Sequence, residues 1–200
     1  MIKFLVLATQ NKDKLRELRR LMKGVNLRVL SLSDFPSCPD PVENGRTFES
    51  NAKKKARAYS LHTQGLVLAD DSGLMVRALN GKPGVYSARF AGDGCSYRDN
   101  NLKLLRLLKR KKTPAARRAK FVSVMALYDS GKFLTAVRGE CDGFIAVDAR
   151  GSNGFGYDPL FVPAGKKRTF AELSPREKNK ISHRSKALAL AKKELLKFLC

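Results

Sequence analysis

Two adjacent aspartates, Asp70 and Asp71, follow a short apolar segment, Leu66 to Ala69, whose composition is typical of a buried strand. A carboxylate at the end of a strand can bind a divalent cation or take a proton from an attacking water, and both are steps in hydrolysis. Because successive residues of a strand point to opposite faces, the two carboxylates need not share one site. Asp-Ser-Gly is also common in turns, but a pair of acids directly after an apolar strand favours a functional site.

A polar turn, Thr9 to Lys14, joins a predicted first strand, Phe4 to Ala8, to a predicted first helix. The helix is predicted because leucines recur on one helical face, and Gly24 is its expected stop. Backbone amides at a helix start, together with a hydroxyl, an amide side chain and lysines, are suited to binding phosphate. The turn lacks the glycine pattern of a P-loop, and an ordinary turn with Asn11 as N-cap is an equal alternative.

A proline-rich loop, Ser33 to Asn44, contains Glu43 and precedes a helix predicted from Thr47 to about Ser60. If Asp71 supplies one hard oxygen ligand for magnesium, Glu43 is a candidate for the second, with water and phosphate completing the coordination shell. Ordinary surface charge is the simpler explanation of this glutamate.

Two further segments combine residue types suited to a flat ligand or an anion. Gly154 to Phe161 places glycines around aromatic side chains, so a tight turn there could present a ring face to a planar ligand. Near the start of a predicted last helix, the segment from Ser174 to Arg184 is rich in basic residues, and its candidate site residues are Lys178, His183 and Arg184. Packing of the turn into the core, and a capped basic helix start, explain the two segments without any ligand.

These segments have to be positioned by alternating strands and helices. The remaining elements predicted from hydrophobic periodicity are a short strand or turn-bounded segment from Leu74 to Leu79, a helix from Tyr97 to Lys112 with Leu102, Leu105 and Leu108 or their neighbours inward, a hairpin of Phe121–Tyr128 and Lys132–Arg138, a strand from Gly143 to Val147, and a helix from Ser182 to Leu199. No repeat, low-complexity tract or long linker divides the chain. We therefore expect a single domain with a mixed sheet and helices packed on it.

The chain of 200 residues carries a formal net charge of +22, from 40 Lys and Arg against 18 Asp and Glu. The segment from Leu102 to Lys120 contains nine basic residues and no acid, and its lack of interleaved aromatics favours a solvated face over nucleic-acid contact. The four cysteines fit no metal-binding spacing, and no segment is apolar enough to span a membrane or typical of a signal peptide. We therefore expect free thiols, a cytoplasmic location and no membrane partner.

Six sequence motifs together resemble those of the Ham1/inosine triphosphate pyrophosphatase family: LATQNKDKLRE, ENGRTFESNAKKKA, ADDSGL, NGKPGVYSARFAG, GFGYDPLF and TFAELSPREKNKISHRSKAL. They occur in the family's order and spacing and span essentially the whole chain. The resemblance implies an elongated α/β fold with a central mixed sheet, two lobes with an intervening cleft, and a homodimer. It also implies magnesium-dependent hydrolysis of inosine, xanthosine and related deoxynucleoside triphosphates to the monophosphate and pyrophosphate.

The resemblance assigns site residues by position. Asp71 matches the catalytic acid and, with Glu43, the magnesium ligands, whereas Asp70 matches a supporting acid. The substrate-binding positions outside the base pocket are Thr9, Gln10, Asn11, Lys14, Lys55 and Ser72. The positions that match the base pocket are Phe155, Gly156, Tyr157, Asp158, Lys178, His183 and Arg184. Gln10 and Ser50 depart from the family pattern, and the longer Gln10 side chain either crowds the triphosphate or points away from it.

The mechanism implied by these roles is hydrolysis between the α and β phosphates. Asp71, or Asp70 beside it, would orient or deprotonate the attacking water, and Lys14 and Lys55 would offset charge on the leaving pyrophosphate. A donor on His183 or Arg184 would select the purine 6-oxo group.

Two alternatives remain at this point. A Maf-like nucleotide pyrophosphatase would act on pyrimidine or modified nucleotides instead. A basic, non-catalytic nucleic-acid-binding protein would explain the charge, although Glu43, Asp70 and Asp71 would repel phosphate unless a metal ion intervened.

Overall fold

The computed structural model describes residues 4–22, 27–35 and 38–198. The predicted helix stop at Gly24 and the predicted helix end at Leu199 lie outside these residues. None of the described helices is long and apolar enough to cross a membrane.

The described residues form a six-stranded mixed sheet in the order β2-β1-β3-β4-β5-β6. The strands are β1 Phe4–Ala8, β2 Arg28–Ser31, β3 Leu66–Val76, β4 Arg118–Asp129, β5 Lys132–Ile145 and β6 Phe161–Pro163. The α-helices of the described chain are α1 Lys12–Leu21, α2 Phe48–Thr63, α3 Tyr97–Leu107, α4 Pro175–Ile181 and α5 His183–Leu196. Strand β1 is parallel to β2 and β3, whereas β5 and β6 are antiparallel. The predicted α/β class with a mixed sheet is confirmed.

Strand β3 differs most from the prediction. The sequence predicted a short strand that ends at Asp70 and Asp71, followed by a second short strand or turn-bounded segment. Instead, Leu66–Val76 is one continuous strand of 11 residues. The prediction was wrong because Asp-Asp-Ser-Gly resembles a turn, whereas here side chains of other elements compensate both carboxylates. Strand β3 lies between β1 and β4 and is buried along most of its length. The two acids therefore lie within the sheet rather than after it.

The predicted hairpin is confirmed as β4 and β5. Its two connecting residues, Ser130 and Gly131, have φ angles of 46° and 86°, as in the type I′ turn that matches the twist of a hairpin. The predicted separate strand from Gly143 to Val147 was wrong, because its first residues are the end of β5.

Helix α3 ends before the predicted Lys112, at Leu107. Leu102, predicted inward, is exposed, while Leu104 and Leu108 are fully buried. Strand β2 was not predicted, since its four residues, Arg28–Ser31, are too few to show a period.

The chain divides into two compact units, each with its own apolar core. The first unit comprises Met1–Asp71, Ser123–Gly139 and Ser185–Cys200, and its core packs side chains of β1, α1, β3, β4 and α5. The second unit comprises Ser72–Val122 and Glu140–Arg184, and its core contains three phenylalanines whose ring centroids lie 4.7, 5.1 and 5.9 Å apart. The first unit carries the predicted acids and lysines, and the second carries the predicted base pocket.

Candidate active site

Asp70 has a partner at each carboxylate oxygen, both in the first unit. Its buried side chain forms an ion pair with Lys14, with 2.9 Å between Asp70 Oδ2 and Lys14 Nζ. Ser123 in β4 donates its hydroxyl to Asp70 Oδ1 at 2.5 Å. A buried charge needs such compensation, because its transfer out of water is otherwise strongly unfavourable. These contacts tie Asp70 to Lys14 at the start of α1.

Asp71, the next residue, contacts α2 instead. Asn51 Nδ2 donates to Asp71 Oδ2 at 3.2 Å, and Lys55 Nζ lies 3.7 Å from Asp71 Oδ1. Burial raises the pKa of the Asp71 carboxyl, while the ammonium groups of Lys55 and Lys14 act in the opposite direction. A carboxyl with a raised pKa is a better proton acceptor than an ordinary one, which suits a general base.

Lys55 connects Asp71 to the loop that carries Glu43. Its ammonium group lies 3.0 Å from Glu43 Oε2 and donates to the carbonyl oxygen of Asp70 at 2.8 Å. Asn51, one helical turn earlier, accepts the amide of Gly45 at 2.7 Å and so fixes the same loop. A Cβ atom on Gly45 would lie 2.4 Å from Asn51 Oδ1, which explains the glycine. No role for Asn51 was predicted from the sequence, although its helical spacing from Lys55 indicates a shared face.

The polar turn before α1 is occupied by its own hydrogen bonds. Asn11 Oδ1 accepts the amides of Asp13 and Lys14, both at 3.0 Å, and is therefore the N-cap. Thr9 Oγ1 accepts the Asn11 amide at 3.3 Å. These side chains already satisfy amides that a phosphate would use. The Lys14 side chain is therefore the stronger candidate for phosphate contact in this turn.

Gln10 is directed toward Asp40. Its Nε2 donates to Asp40 Oδ1 at 2.5 Å, and the same oxygen accepts the hydroxyl of Tyr59 at 2.5 Å. Of the two orientations left open by the sequence, the structure thus places the Gln10 amide against the loop before α2.

The five charged residues Glu43, Asp70, Asp71, Lys14 and Lys55 form what we call the acid–lysine cluster. Its three carboxylates and two ammonium groups leave one formal negative charge in excess when all are ionised. Such a cluster would repel a triphosphate unless a cation joined it. Among the described residues, no group of three or more His, Cys, Asp or Glu side chains is placed to hold a metal ion alone. The carboxylates of Glu43 and Asp71 nevertheless match magnesium, which commonly takes one or two carboxylates plus substrate phosphates.

A half-buried aromatic ring, Phe155, lies beside buried cations in the second unit. Lys178 Nζ lies 5.1 Å from the ring centroid and the guanidinium carbon of Arg184 lies 5.4 Å from it. Asp158 Oδ2 pairs with Lys178 Nζ at 2.7 Å and accepts the Phe155 amide at 2.9 Å, so one carboxylate holds both the lysine and the turn. A Cβ atom on Gly154 would lie 2.0 Å from that oxygen. We call Phe155, Lys178, Asp158 and Arg184 the Phe155 cluster.

Arg184 and His183 begin α5 and are both buried. Arg184 Nη2 donates to Ser72 Oγ at 2.9 Å, which brings two predicted substrate contacts together. The His183 ring stacks on Phe121, with centroids 4.6 Å apart and planes inclined by 9°. The histidine is therefore held in a fixed orientation by the core of the second unit.

Tyr157 and Gly156 join the same turn to the rest of the second unit. The Tyr157 hydroxyl donates to the carbonyl oxygen of Ser87 at 3.0 Å, and its ring is buried. Asn101 Nδ2 donates to the carbonyl oxygen of Gly156 at 2.9 Å. These contacts hold the turn in place, and Phe155 supplies its partly accessible ring.

Comparisons with known proteins, by sequence and by fold, find members of the same family. The Ham1 family model matches residues 5–194. A dITP/XTP pyrophosphatase of Geobacter sulfurreducens is 48% identical over 192 residues, covering 96% of each chain, and one of Desulfotalea psychrophila is 45% identical over 198 residues, covering 97% of this chain and 86% of the relative. The solved structure of a HAM1 protein from Coxiella burnetii has a TM-score of 0.88 at 40% identity and covers 98% of this chain and 99% of its own. The Staphylococcus aureus Ham1 protein has a TM-score of 0.86 at 38% identity, with 96% and 98% covered. Because sequence and fold agree over nearly the whole length, this chain belongs to the Ham1 family.

Proposed function

We propose that this protein is a nucleoside triphosphate pyrophosphatase that hydrolyses dITP, XTP and ITP to the monophosphate and pyrophosphate. The observation that carries the proposal is the acid–lysine cluster, in which burial raises the pKa of Asp71 beside Lys55 and Glu43. The dITP/XTP pyrophosphatases of Geobacter sulfurreducens and Desulfotalea psychrophila, similar over nearly the whole chain, support the choice of substrate.

Asp71 acts as the general base. A water oxygen attacks the α-phosphorus, its proton passes to the Asp71 carboxylate, and the bond from the α-phosphorus to the bridging oxygen breaks to release pyrophosphate. Asn51 and Lys55 hold the two carboxylate oxygens of Asp71, and its raised pKa favours acceptance of the proton. Asp70 pairs with Lys14 and accepts the Ser123 hydroxyl, and its separate role is to hold Lys14.

Lys14 and Lys55 bind the phosphate chain and stabilise the charge that develops on the leaving pyrophosphate. Glu43 and Asp71 would hold a magnesium ion, which when bound supplies positive charge that neutralises phosphate oxygens and polarises the α-phosphorus. The excess negative charge of the acid–lysine cluster supports this requirement, because a triphosphate adds further anions to it.

The Phe155 cluster recognises the base. The half-buried ring offers a stacking surface for a purine, and the donors of Arg184 and His183 are suited to a 6-oxo group. Adenine carries an amino group at that position, so a buried donor would lose its partner. Such a loss costs about 1–3 kcal/mol, a discrimination of roughly ten- to hundredfold.

The direct test measures pyrophosphate release from dITP, XTP and ITP, with magnesium and with a chelator, against ATP, dTTP and UTP. We expect pyrophosphate release to require magnesium and to be faster from the 6-oxo purine nucleotides dITP, XTP and ITP than from the other three. Preference for dTTP and UTP would instead indicate a Maf-like enzyme. Salt-dependent nucleic-acid binding without hydrolysis of any nucleotide would indicate the non-catalytic alternative.

We further propose a homodimer, which follows from the family resemblance, and a cytoplasmic location. The cysteines Cys38, Cys95 and Cys141 are free thiols, which supports a reducing compartment. Light scattering on the purified protein tests the dimer.

A further inference from the structure

Ser123 is a fully buried serine within the apolar part of strand β4, residues 121–127, and its hydroxyl has a charged partner. It donates to Asp70 Oδ1 at 2.5 Å. The other oxygen of that carboxylate, Oδ2, lies 2.9 Å from Lys14 Nζ. The three residues thus form a linear chain of contacts from the sheet to the start of α1.

The ends of this chain differ in exposure. The Asp70 side chain is completely buried, whereas that of Lys14 retains 15% of its accessible surface. The carboxylate therefore cannot reorient into solvent, and the lysine ammonium is the member that can meet a ligand. Because a lysine has a flexible four-carbon stem, the direction of its ammonium depends on what holds it.

We propose that Ser123 is a positioning residue for polyphosphate binding. Its hydroxyl fixes the Asp70 carboxylate, and the carboxylate holds the Lys14 ammonium in the orientation that contacts the phosphate chain. This inference rests on the proposed function in one respect, namely that Lys14 contacts phosphate. It adds a residue that touches neither substrate nor the reacting atoms.

The test uses inorganic tripolyphosphate as the ligand, measured by titration calorimetry in magnesium buffer. Ser123→Ala is expected to weaken tripolyphosphate binding by about tenfold, the lower end of the effect of losing a hydrogen bond to a charged group. Ser123→Thr, which keeps the hydroxyl, is expected to restore most of the affinity. In a Lys14→Met background, where the ammonium is already gone, Ser123→Ala is expected to change the affinity less than twofold.

Ser60 provides a matched control in the first unit. It is also fully buried, and its hydroxyl donates to the Arg57 carbonyl oxygen at 2.9 Å and accepts the Gly131 amide at 3.0 Å. Ser60→Ala removes a buried hydroxyl of the same kind and should lower Tm without changing tripolyphosphate affinity.

Three results would overturn the inference: unchanged binding in Ser123→Ala, equal weakening in Ser60→Ala, or a full effect of Ser123→Ala in the Lys14→Met background. The same holds if the unsubstituted protein does not bind tripolyphosphate. Binding of tripolyphosphate needs no hydrolysis, so a protein that shows the expected affinities but cleaves no nucleotide would contradict only the proposed activity.

Discussion

Asp70 and Asp71 are consecutive in strand β3, yet their carboxylates bind different elements. Asp70 is held by Lys14 at the start of α1 and by Ser123 in β4, whereas Asp71 contacts Asn51 and Lys55 in α2. The alternation of side chains along a strand produces this separation. Two neighbouring acids can therefore serve different purposes without sharing one proton.

Asp71→Asn tests the general base. We expect kcat to fall by at least about 10²-fold, the usual effect of losing a general base. Since burial raises the pKa of Asp71 in the folded protein, its ionised form destabilises the fold near neutral pH, and the neutral asparagine should leave Tm equal or higher. Asp129→Asn, which replaces an exposed aspartate, is the control and should leave kcat unchanged. Near-normal kcat in Asp71→Asn would remove this residue from the chemical step.

Magnesium binding has a readout that does not require turnover. An ion that binds only the folded protein raises its Tm, so titration with magnesium should increase the Tm of the unsubstituted protein. Glu43→Gln and Asp71→Asn are each expected to abolish most of this increase. Glu49→Gln is the control, because it removes an acid that pairs with Lys53 outside the acid–lysine cluster. This variant should keep the full magnesium-induced increase in Tm. An increase that survives both substitutions in the cluster would place the metal elsewhere.

The sequence predicted local features well and long-range contacts poorly. Asn11 as N-cap, Thr47 as N-cap of α2 and the hairpin turn at Ser130 were confirmed, because each depends on residues close in the chain. The role of Ser123 was missed, because its partner lies 53 residues away and a serine in an apolar strand gives no signal of its own. The continuity of β3 was missed for the same reason. Nothing local shows that its acids are compensated by Lys14 and by α2.

Breaking the buried ion pair of Lys178 and Asp158 should destabilise the fold far more than breaking an exposed pair of similar geometry. The distance is 2.7 Å in this pair and 2.6 Å between exposed Arg168 and Glu177, so burial is the main difference. Lys178→Met removes the ammonium partner of the buried Asp158 carboxylate and should lower the free energy of unfolding by about 3–5 kcal/mol. Arg168→Met should lower it far less, because solvent screens the exposed pair. Urea denaturation measures the free energy of unfolding of both variants. Equal decreases would show that burial does not increase the cost of breaking the Lys178–Asp158 pair.

Acid should weaken the N-terminus of α4. The amide and hydroxyl of Ser174, and then Arg168, lower the pKa of Glu177 to about 2. Because this folded-state pKa lies below the unfolded value, the stabilisation is complete above pH of about 4.5 and is lost as the pH falls toward 2. The difference in Tm between the unsubstituted protein and Glu177→Gln should follow that course. A difference that stays constant down to pH 2 would show that the carboxylate charge is unimportant.

Arg184 should determine which purine is accepted. Its guanidinium lies over the Phe155 ring and donates to Ser72, so these two contacts hold the group in a fixed direction. Arg184→Met keeps the length of the side chain and removes the donors, and we expect kcat/KM for dITP to fall by roughly ten- to hundredfold while the low value for ATP is unchanged. Arg176→Met, which alters an exposed arginine of α4, is the control. If dITP and ATP lost activity by the same factor, Arg184 would support the fold of the second unit without selecting the base.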